Sequence, residues 1–359
     1  MLAHSESETR PPRQGEKIDA ARLANYLRSR GFADGEITVE QFPAGSSNLT
    51  YLITVGGKEY VLRRPPFGNT VKGAHDMVRE FNVLSKLSVI YEPAPKPLLF
   101  CDDASVLGEE FYLMERRIGL IIRGALPDTA QFADAKERLT NCQEFRLEIC
   151  RSFVANLARL HTIDIREAGL EALGHPTGYC RRQIVGWSAR YYAAKTHDLP
   201  NADRVIAWLN NNIPIESDAA IIHNDYKFDN IVLAPADLTS VTAVLDWEMV
   251  TVGDPLMDLG TTLGYWMSSD AGDELLGMPF NPEVLMRNIS RDQLVEMYAK
   301  ASGRNVRDIE FYYVFGTFKI AVIAQQIYAR FAAGKTKDER FRNFDRFVAA
   351  LIDLAVRTF

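Results

Sequence analysis

The stretch Ile221–Gly260, IIHNDYKFDNIVLAPADLTSVTAVLDWEMVTVGDPLMDLG, constrains this chain more than any other. Asp225 stands two residues after His223 and five before Asn230, and Asp246 ends a second apolar run within Thr242–Glu248. A tight loop at this spacing presents the Asp225 carboxylate to a cavity, and Asn230 turns its amide oxygen to the same side. Asp246, at the end of the neighbouring hairpin strand, adds a second carboxylate. Two carboxylates and one amide suit Mg2+, which keeps part of its water shell. Gly253-Asp254-Pro255 then opens a helix, with an acid at the N-cap and proline at the first helical position. Asp258, four residues after Asp254, shares its face, so one or both are expected to tie the loop in place.

Upstream, the pattern is of strands. A short amphipathic helix is expected over Ile18–Arg30, stopped by Gly31. Glu36–Phe42 and Leu49–Val55 are rich in strand formers, and Gly56-Gly57 turns the chain into Glu59–Arg64. A helix is expected over Thr70–Leu87, then strands at Pro97–Cys101 and Glu110–Arg117, giving a five-stranded antiparallel sheet. From Ala133 the pattern turns helical: Gln143–His161, Tyr179–Tyr192, Asn201–Asn210 and most of Pro282–Phe359, with Phe315–Ile327 apolar enough to be buried.

The segments HNDYKFDN, VLDWE and GDPLMDLG resemble the aminoglycoside phosphotransferase family of the protein-kinase-like fold. Within it they look most like the kinase-like domains related to those joined to acyl-CoA dehydrogenases. H-x-D-x-x-x-x-N alone is a weak pattern; the aspartate after a second strand and the GDPxxDL helix start make it specific. The resemblance covers roughly residues 36–265. It implies an α+β fold of two lobes: a small N-lobe with the five-stranded sheet and a helix, and a larger, mainly helical C-lobe. The expected division is a disordered tail over 1–17, the N-lobe over 18–117 and the C-lobe over 118–359.

The resemblance also implies roles. Asp225 would orient and deprotonate a hydroxyl, Asn230 and Asp246 would hold Mg2+, and Lys227 would neutralise charge on the transferred phosphoryl group. His223 would prop the loop. The turn Pro43–Leu49 would fold over the phosphates of ATP, with Ser46 and Ser47 as donors; taken alone it is an ordinary hairpin loop, lacking G-x-G-x-x-G. Strand alternation places Val61 and Arg63 on one face, Val61 to cover adenine and Arg63 to reach the phosphates. Arginine stands where protein kinases carry lysine, and it binds phosphate bidentately. Arg64 is the competing cation, set behind Arg63 by alternation alone. Glu80 is the acid expected to hold Arg63, with Asp76 and Glu92 as competitors. Phe111–Gly119 reads as the hinge: Met114 at the back of the pocket, the carbonyl of Glu115 and the amide of Arg117 on the base. An edge strand ending at Gly119 fits those residues equally well.

Other features are set aside. His161 reads as a packing residue at a helix end. Arg181, Arg182 and Trp187 fit either an acidic substrate or a solvated helix face. Gly334-Lys-Thr336 resembles the end of a phosphate-binding loop, but it closes a helix and lacks the preceding glycine, so Gly334 reads as a helix stop. Asp246-Trp247-Glu248 has no glycine, which argues against a long regulated loop and against a protein kinase.

Composition excludes some classes. A formal charge of −6 over 359 residues carries no nucleic-acid or anionic-membrane signature. The four cysteines form no C-x-x-C pair, so zinc is not expected. With no spanning apolar run and no signal-peptide core at the N-terminus, a cytoplasmic protein is expected. The leading expectation is an ATP- and Mg2+-dependent kinase acting on a hydroxyl of a small molecule, hydroxyacyl-CoA or aminoglycoside-like. The alternative is a non-catalytic nucleotide- or acyl-CoA-binding pseudokinase module. A Mg2+-dependent hydrolase would leave the upstream hairpin, Arg63 and the hinge unexplained.

Overall fold

The computed structural model describes residues 8–32, 35–43, 48–67, 76–123, 126, 132–215, 218–267, 271–276, 283–286, 289–336 and 338–359. The chain divides into two compact units. The first comprises Met1–Gly119, Pro127–Ala130 and Thr242–Glu248; the second comprises Leu120–Leu126, Gln131–Val241 and Met249–Phe359.

The first unit is built on an antiparallel sheet of β1 (Ile37–Gln41), β2 (Leu49–Val55), β3 (Lys58–Arg64), β4 (Pro97–Cys101) and β5 (Phe111–Glu115), in the order β1-β2-β3-β5-β4. β2 and β3 are joined at Gly56-Gly57, both with positive φ, the backbone such a tight hairpin requires. Both faces of the sheet carry packed side chains. On one, Leu49, Tyr51 and Ile53 join Leu62, Phe111 and Leu113 beneath Leu23 and Leu27 of α1 (Ala20–Ser29) and Val106 and Leu107 of α3 (Ala104–Leu107). On the other, Phe81 of α2 (Met77–Ile90) meets Phe100 and Tyr112 edge-on or tilted. On the first of these faces, each fully buried apolar side chain contributes about 1.5–3 kcal/mol. The helix expected over Thr70–Leu87 is described from Met77, where Asp76 caps it by accepting from the Arg79 amide, and it runs on to Ile90. Residues 8–17, expected to be tail, lie on the sheet edge instead. Arg10 bridges Gln41, Thr9 is buried, and the Tyr51 hydroxyl and Gln41 side chain both reach Glu16. Arg10 exchanges both backbone hydrogen bonds with Gln41, pairing the open edge of β1 at that residue.

The second unit is mainly helical: α4 (Ala133–Asn141), α5 (Gln143–His161), α6 (Tyr179–Ala194), α7 (Pro200–Asn211), α8 (Pro255–Tyr265), α9 (Asp273–Leu276), α10 (Glu283–Met286), α11 (Arg291–Ser302), α12 (Ile309–Ala332) and α13 (Phe344–Thr358). Short strands β6 (Ala220–Ile222) and β9 (Thr251–Gly253) pair antiparallel, and β7 (Ile231–Ala234) forms a hairpin with β8 (Asp237–Val244), whose end passes into the first unit. α8 and α12 cross with their backbones in contact. A Cβ on Gly260 would collide with the Tyr312 carbonyl, and one on Gly316 with the Gly260 carbonyl. Glycine at both positions permits that approach, which brings Asp258 and Lys319 to one loop. α12 ends as expected, Gly334 adopting φ 68° just past the last turn.

Candidate active site

In the first unit the site is built around Arg63. Its guanidinium lies 3.4 Å from Glu80, 2.9 Å from Asp246 and 3.6 Å from Glu248. Asn48 donates to Glu248 at 3.0 Å, and Arg79 to the Glu248 carbonyl at 3.2 Å. Arg63 and Glu80 are both buried, and Nε of Arg63 and Oε2 of Glu80 are left without hydrogen-bond partners among the described residues. Burial acts to lower the Arg63 pKa, but Glu80, Tyr112, Asp246 and Glu248 together hold it well above its ordinary value. Burial pushes Glu80 up, with Arg63 opposing.

Arg64 is committed elsewhere. It points to the opposite face, where it donates to the carbonyls of Pro65 and Leu107 and stacks on Phe67. Val61 pairs across the sheet with Met114, and Arg63 with Tyr112, so Val61, Arg63, Tyr112 and Met114 share one face. Glu115 spends its side chain on the Lys96 amide and on Arg117, and Arg117 also donates to the Glu92 carbonyl. Both side chains are thus held at the strand end by protein partners. Ser46 and Ser47 lie outside the described residues.

In the second unit the site is built around Asp225. Its carboxylate accepts from Lys227 Nζ at 2.9 and 3.1 Å, from the Tyr265 hydroxyl at 2.8 Å and from Asn230 Nδ2 at 3.0 Å. Asn230 also donates to the Asp225 carbonyl, so its nitrogen faces Asp225 and Oδ1, the atom a cation would take, lies on the other branch of the amide. Lys227 sits over the Tyr265 ring, 4.8 Å from its centroid. Burial acts to lower the Lys227 pKa, but Tyr265 and Asp225 more than offset it, and the ammonium is retained. Burial likewise pushes Tyr265 up, so it remains a donor. Asp229 beside them is pushed up by burial, against Lys227 and Arg123.

The loop is held from beneath. Asp258 accepts the backbone N–H groups of His223 and Asn224, both at 2.7 Å. His161 faces Asp258 at 3.2 Å and Tyr298 at 2.8 Å. Burial pushes the His161 pKa down, so its imidazole stays neutral and supports Asp258, a packing role. His223 Nδ1 accepts the Asp225 amide at 3.2 Å, which is the propping expected of it. Asp254 caps α8 through Leu256 and accepts from the Tyr312 hydroxyl, while Asp258 bonds the loop directly. Tyr226 and Phe228 anchor the loop on Phe153 of α5, at ring separations of 4.7 and 4.1 Å.

Among the described residues, Asn224 (φ 68°) and Asp246 (φ 67°) are the two non-glycine residues with positive φ. Such strain persists where surrounding contacts over-determine the backbone, and it concentrates at functional sites. Both fall in the loops singled out by the motif.

Tyr265, Glu248, Asn48 and Lys319 escaped the sequence reading. Tyr265 stands seven residues after Asp258 on α8, two turns along the same face, so the spacing carried a signal. Lys319 is a charged residue in the middle of an apolar helix, and that too was visible. Asn48 and Glu248 meet across 200 residues and carried none. Arg182, open as a substrate contact, turns back onto the carbonyls of Thr177 and His175, and Trp187 is buried with its indole N–H on Gln183. Among the described residues, no helix is long and apolar enough to cross a membrane.

A five-stranded antiparallel sheet with its helix, followed by a helical unit carrying this loop, defines a kinase-like fold. Residues 38–278 match the model of the phosphotransferase enzyme family, and the chain belongs to that family. It is 34% identical over 358 residues to acyl-CoA dehydrogenase family member 11 of Gallus gallus, covering 97% of this chain and 44% of that protein. The Homo sapiens counterpart is also 34% identical, over 96% of this chain and 44% of its own length. The chain thus spans less than half the length of these curated relatives. Among solved structures, a candidate aminoglycoside phosphotransferase from Ralstonia eutropha superposes with a TM-score of 0.77 at 29% identity, covering 95% of this chain and 98% of that one. Spectinomycin phosphotransferase, solved with ADP and spectinomycin, superposes at 0.56 with 12% identity over 95% and 98%, a likeness of fold.

Proposed function

We propose that this protein transfers the γ-phosphoryl group of ATP, with Mg2+, to a hydroxyl of a small molecule, with Asp225 as the base. The observation that carries the reading is the Asp225 carboxylate, aimed by three donors from Lys227, Asn230 and Tyr265 on a loop tied down through Asp258. In this reading the acceptor oxygen forms a bond to the γ-phosphorus as its bond to ADP breaks, and the hydroxyl proton passes to Asp225. Positioning dominates such transfers, since the protein does little covalent chemistry. Lys227 supplies fixed positive charge beside the developing phosphoryl charge.

On the first unit, Arg63, braced by Glu80, takes the phosphates, and the Val61–Met114 surface on the same face of the sheet takes the base. The carbonyl of Glu115 and the amide of Arg117 are the backbone groups for its edge, and Ser46 and Ser47 are proposed phosphate donors. The donor set fits a hard divalent cation. Asp246 and Glu248 crowd one guanidinium already shared with Glu80, leaving a negative surplus, and the Asp246 side chain is 36% exposed. Asn230 and Asp246 would hold Mg2+, which when bound offsets phosphate charge. Hydroxyacyl-CoA and aminoglycoside-like acceptors are the classes to try first.

The test is ADP formation with Mg2+-ATP across a panel of hydroxylated acceptors, comparing wild type with Asp225→Asn. Acceptor-stimulated ADP formation that is lost in the variant supports the proposal. ATP binding without turnover on any acceptor, unchanged by the substitution, would replace it with a non-catalytic nucleotide-binding module.

A further inference from the structure

Asn224 is the residue whose backbone is bent into the left-handed region immediately before Asp225. Four of its polar atoms are held. Its N–H donates to Asp258 at 2.7 Å, its Nδ2 to the Met249 carbonyl at 3.0 Å, and its Oδ1 accepts from the Tyr179 hydroxyl at 3.2 Å. The fourth atom, the carbonyl oxygen, accepts from Lys319 Nζ at 2.6 Å. That carbonyl belongs to the peptide joining Asn224 to Asp225, so rotation of this peptide would swing the Asp225 side chain away from its donors.

Lys319 is an unusual choice for its place. It is 2% exposed, flanked on α12 by Phe318 and Ile320, where an apolar side chain would pack at no desolvation cost. Every element around it contributes charge: Asp225 and Lys227 from the loop, Asp258 from α8 and Arg190 from α6. Its ammonium also lies 5.6 Å from the Trp187 ring centroid. The glycine crossing of α8 and α12 places it there, since Gly316 lies one turn before Lys319.

We propose that Lys319 is a positioning residue for phosphoryl transfer, its hydrogen bond fixing the Asn224–Asp225 peptide in the left-handed turn that aims the Asp225 carboxylate. This rests on Asp225 being the base. Its consequence is pH-dependent. Burial pushes the Lys319 pKa down to about 8, with Asp225 and Asp258 opposing and Lys227 and Arg190 assisting. Above that pH the neutral amine donates more weakly than the ammonium, so the turn loosens and turnover falls.

The experiment compares wild type, Lys319→Met and Lys319→Gln in two readouts. The first is kcat and the ATP KM from pH 6.5 to 9.5. The second is amide hydrogen exchange of residues 221–231, which needs no substrate. The expected result for Lys319→Met is kcat at pH 7 lowered about tenfold or more, ATP KM within about twofold, no alkaline limb near pH 8 and faster exchange in the loop. Lys319→Gln, which keeps an uncharged donor, should recover part of kcat without the limb; it carries the test if Lys319→Met does not fold. Unchanged kcat, a retained alkaline limb or unchanged loop exchange in the folded variants would overturn the proposal. An inactive wild type whose loop is nonetheless loosened by Lys319→Met would support the positioning role and reject the phosphotransferase reading.

Discussion

Arg63 donates to Asp246 at 2.9 Å across 183 residues of sequence. One comes from the sheet, the other from the end of β8, and both belong to the same compact unit. Glu80 is the buried counter-ion on the other side of the guanidinium. A buried pair that loses one partner leaves an uncompensated charge, typically at a cost of about 3–5 kcal/mol. Glu80→Ala should therefore lower stability by that order and weaken ATP binding. Urea unfolding, read beside nucleotide titration, measures both; an unchanged midpoint would show that Arg63 finds another counter-ion.

Tyr265 donates to Asp225 without belonging to the loop that carries it. A hydrogen bond to a charged group contributes about 1.5–3 kcal/mol. Tyr265→Phe keeps the ring beneath Lys227 and removes only the hydroxyl, so kcat should fall roughly 10- to 150-fold with the ATP KM little changed. Steady-state kinetics decide it, and a change confined to KM would place Tyr265 in nucleotide binding instead.

Gly260 and Gly316 lie where two helix backbones touch. A methyl group at either cannot be absorbed by a flexible side chain, because what it meets is backbone. Gly316→Ala should cost at least the upper part of the overpacking range, about 3 kcal/mol, and should disturb the loop that Asp258 and Lys319 hold. Gly57→Ala, in open space on the β2–β3 turn with φ 75°, separates crowding from backbone strain. Equal losses of melting temperature in the two variants would remove crowding as the cause.

Lys319 also sets a pH dependence of stability. Its folded pKa of about 8 lies below the ordinary lysine value of 10.5, so the unfolded chain holds more protons between those pH values. Stability contributed through this group therefore rises as pH increases from about 8 to 10.5, by up to roughly 3 kcal/mol. Below pH 8 the cost of the buried charge is fully present. The difference in unfolding free energy between wild type and Lys319→Met should follow that curve, and a pH-independent difference would contradict it. Turnover and stability thus move in opposite directions with the same proton.

Much of the architecture was legible because local patterns agreed with the tertiary outcome. β2, β4 and α5 occur at the expected bounds, since alternation, a Gly-Gly turn and an apolar helical stripe each state their own period. Alternation alone also separated Arg63 from Arg64, because a pleated strand sends neighbours to opposite faces. The order β1-β2-β3-β5-β4 needed the pairing itself, and the pinning of residues 8–17 needed the open edge of β1.

The sequence alone determined the spacing of His223, Asp225, Asn230 and Asp246, because residues this close along a chain are placed by the chain. It also put Asp254 and Asp258 on one face of α8, and the structure shows Asp258 bonding that loop. Only the tertiary structure decided what surrounds these groups. Glu248 and Asn48 meet Arg63's cluster from distant segments, and Lys319 reaches Asn224 because two glycines let α8 and α12 touch. Burial is a property of the packed whole. It alone turns a lysine on an apolar helix into the group that holds a strained peptide.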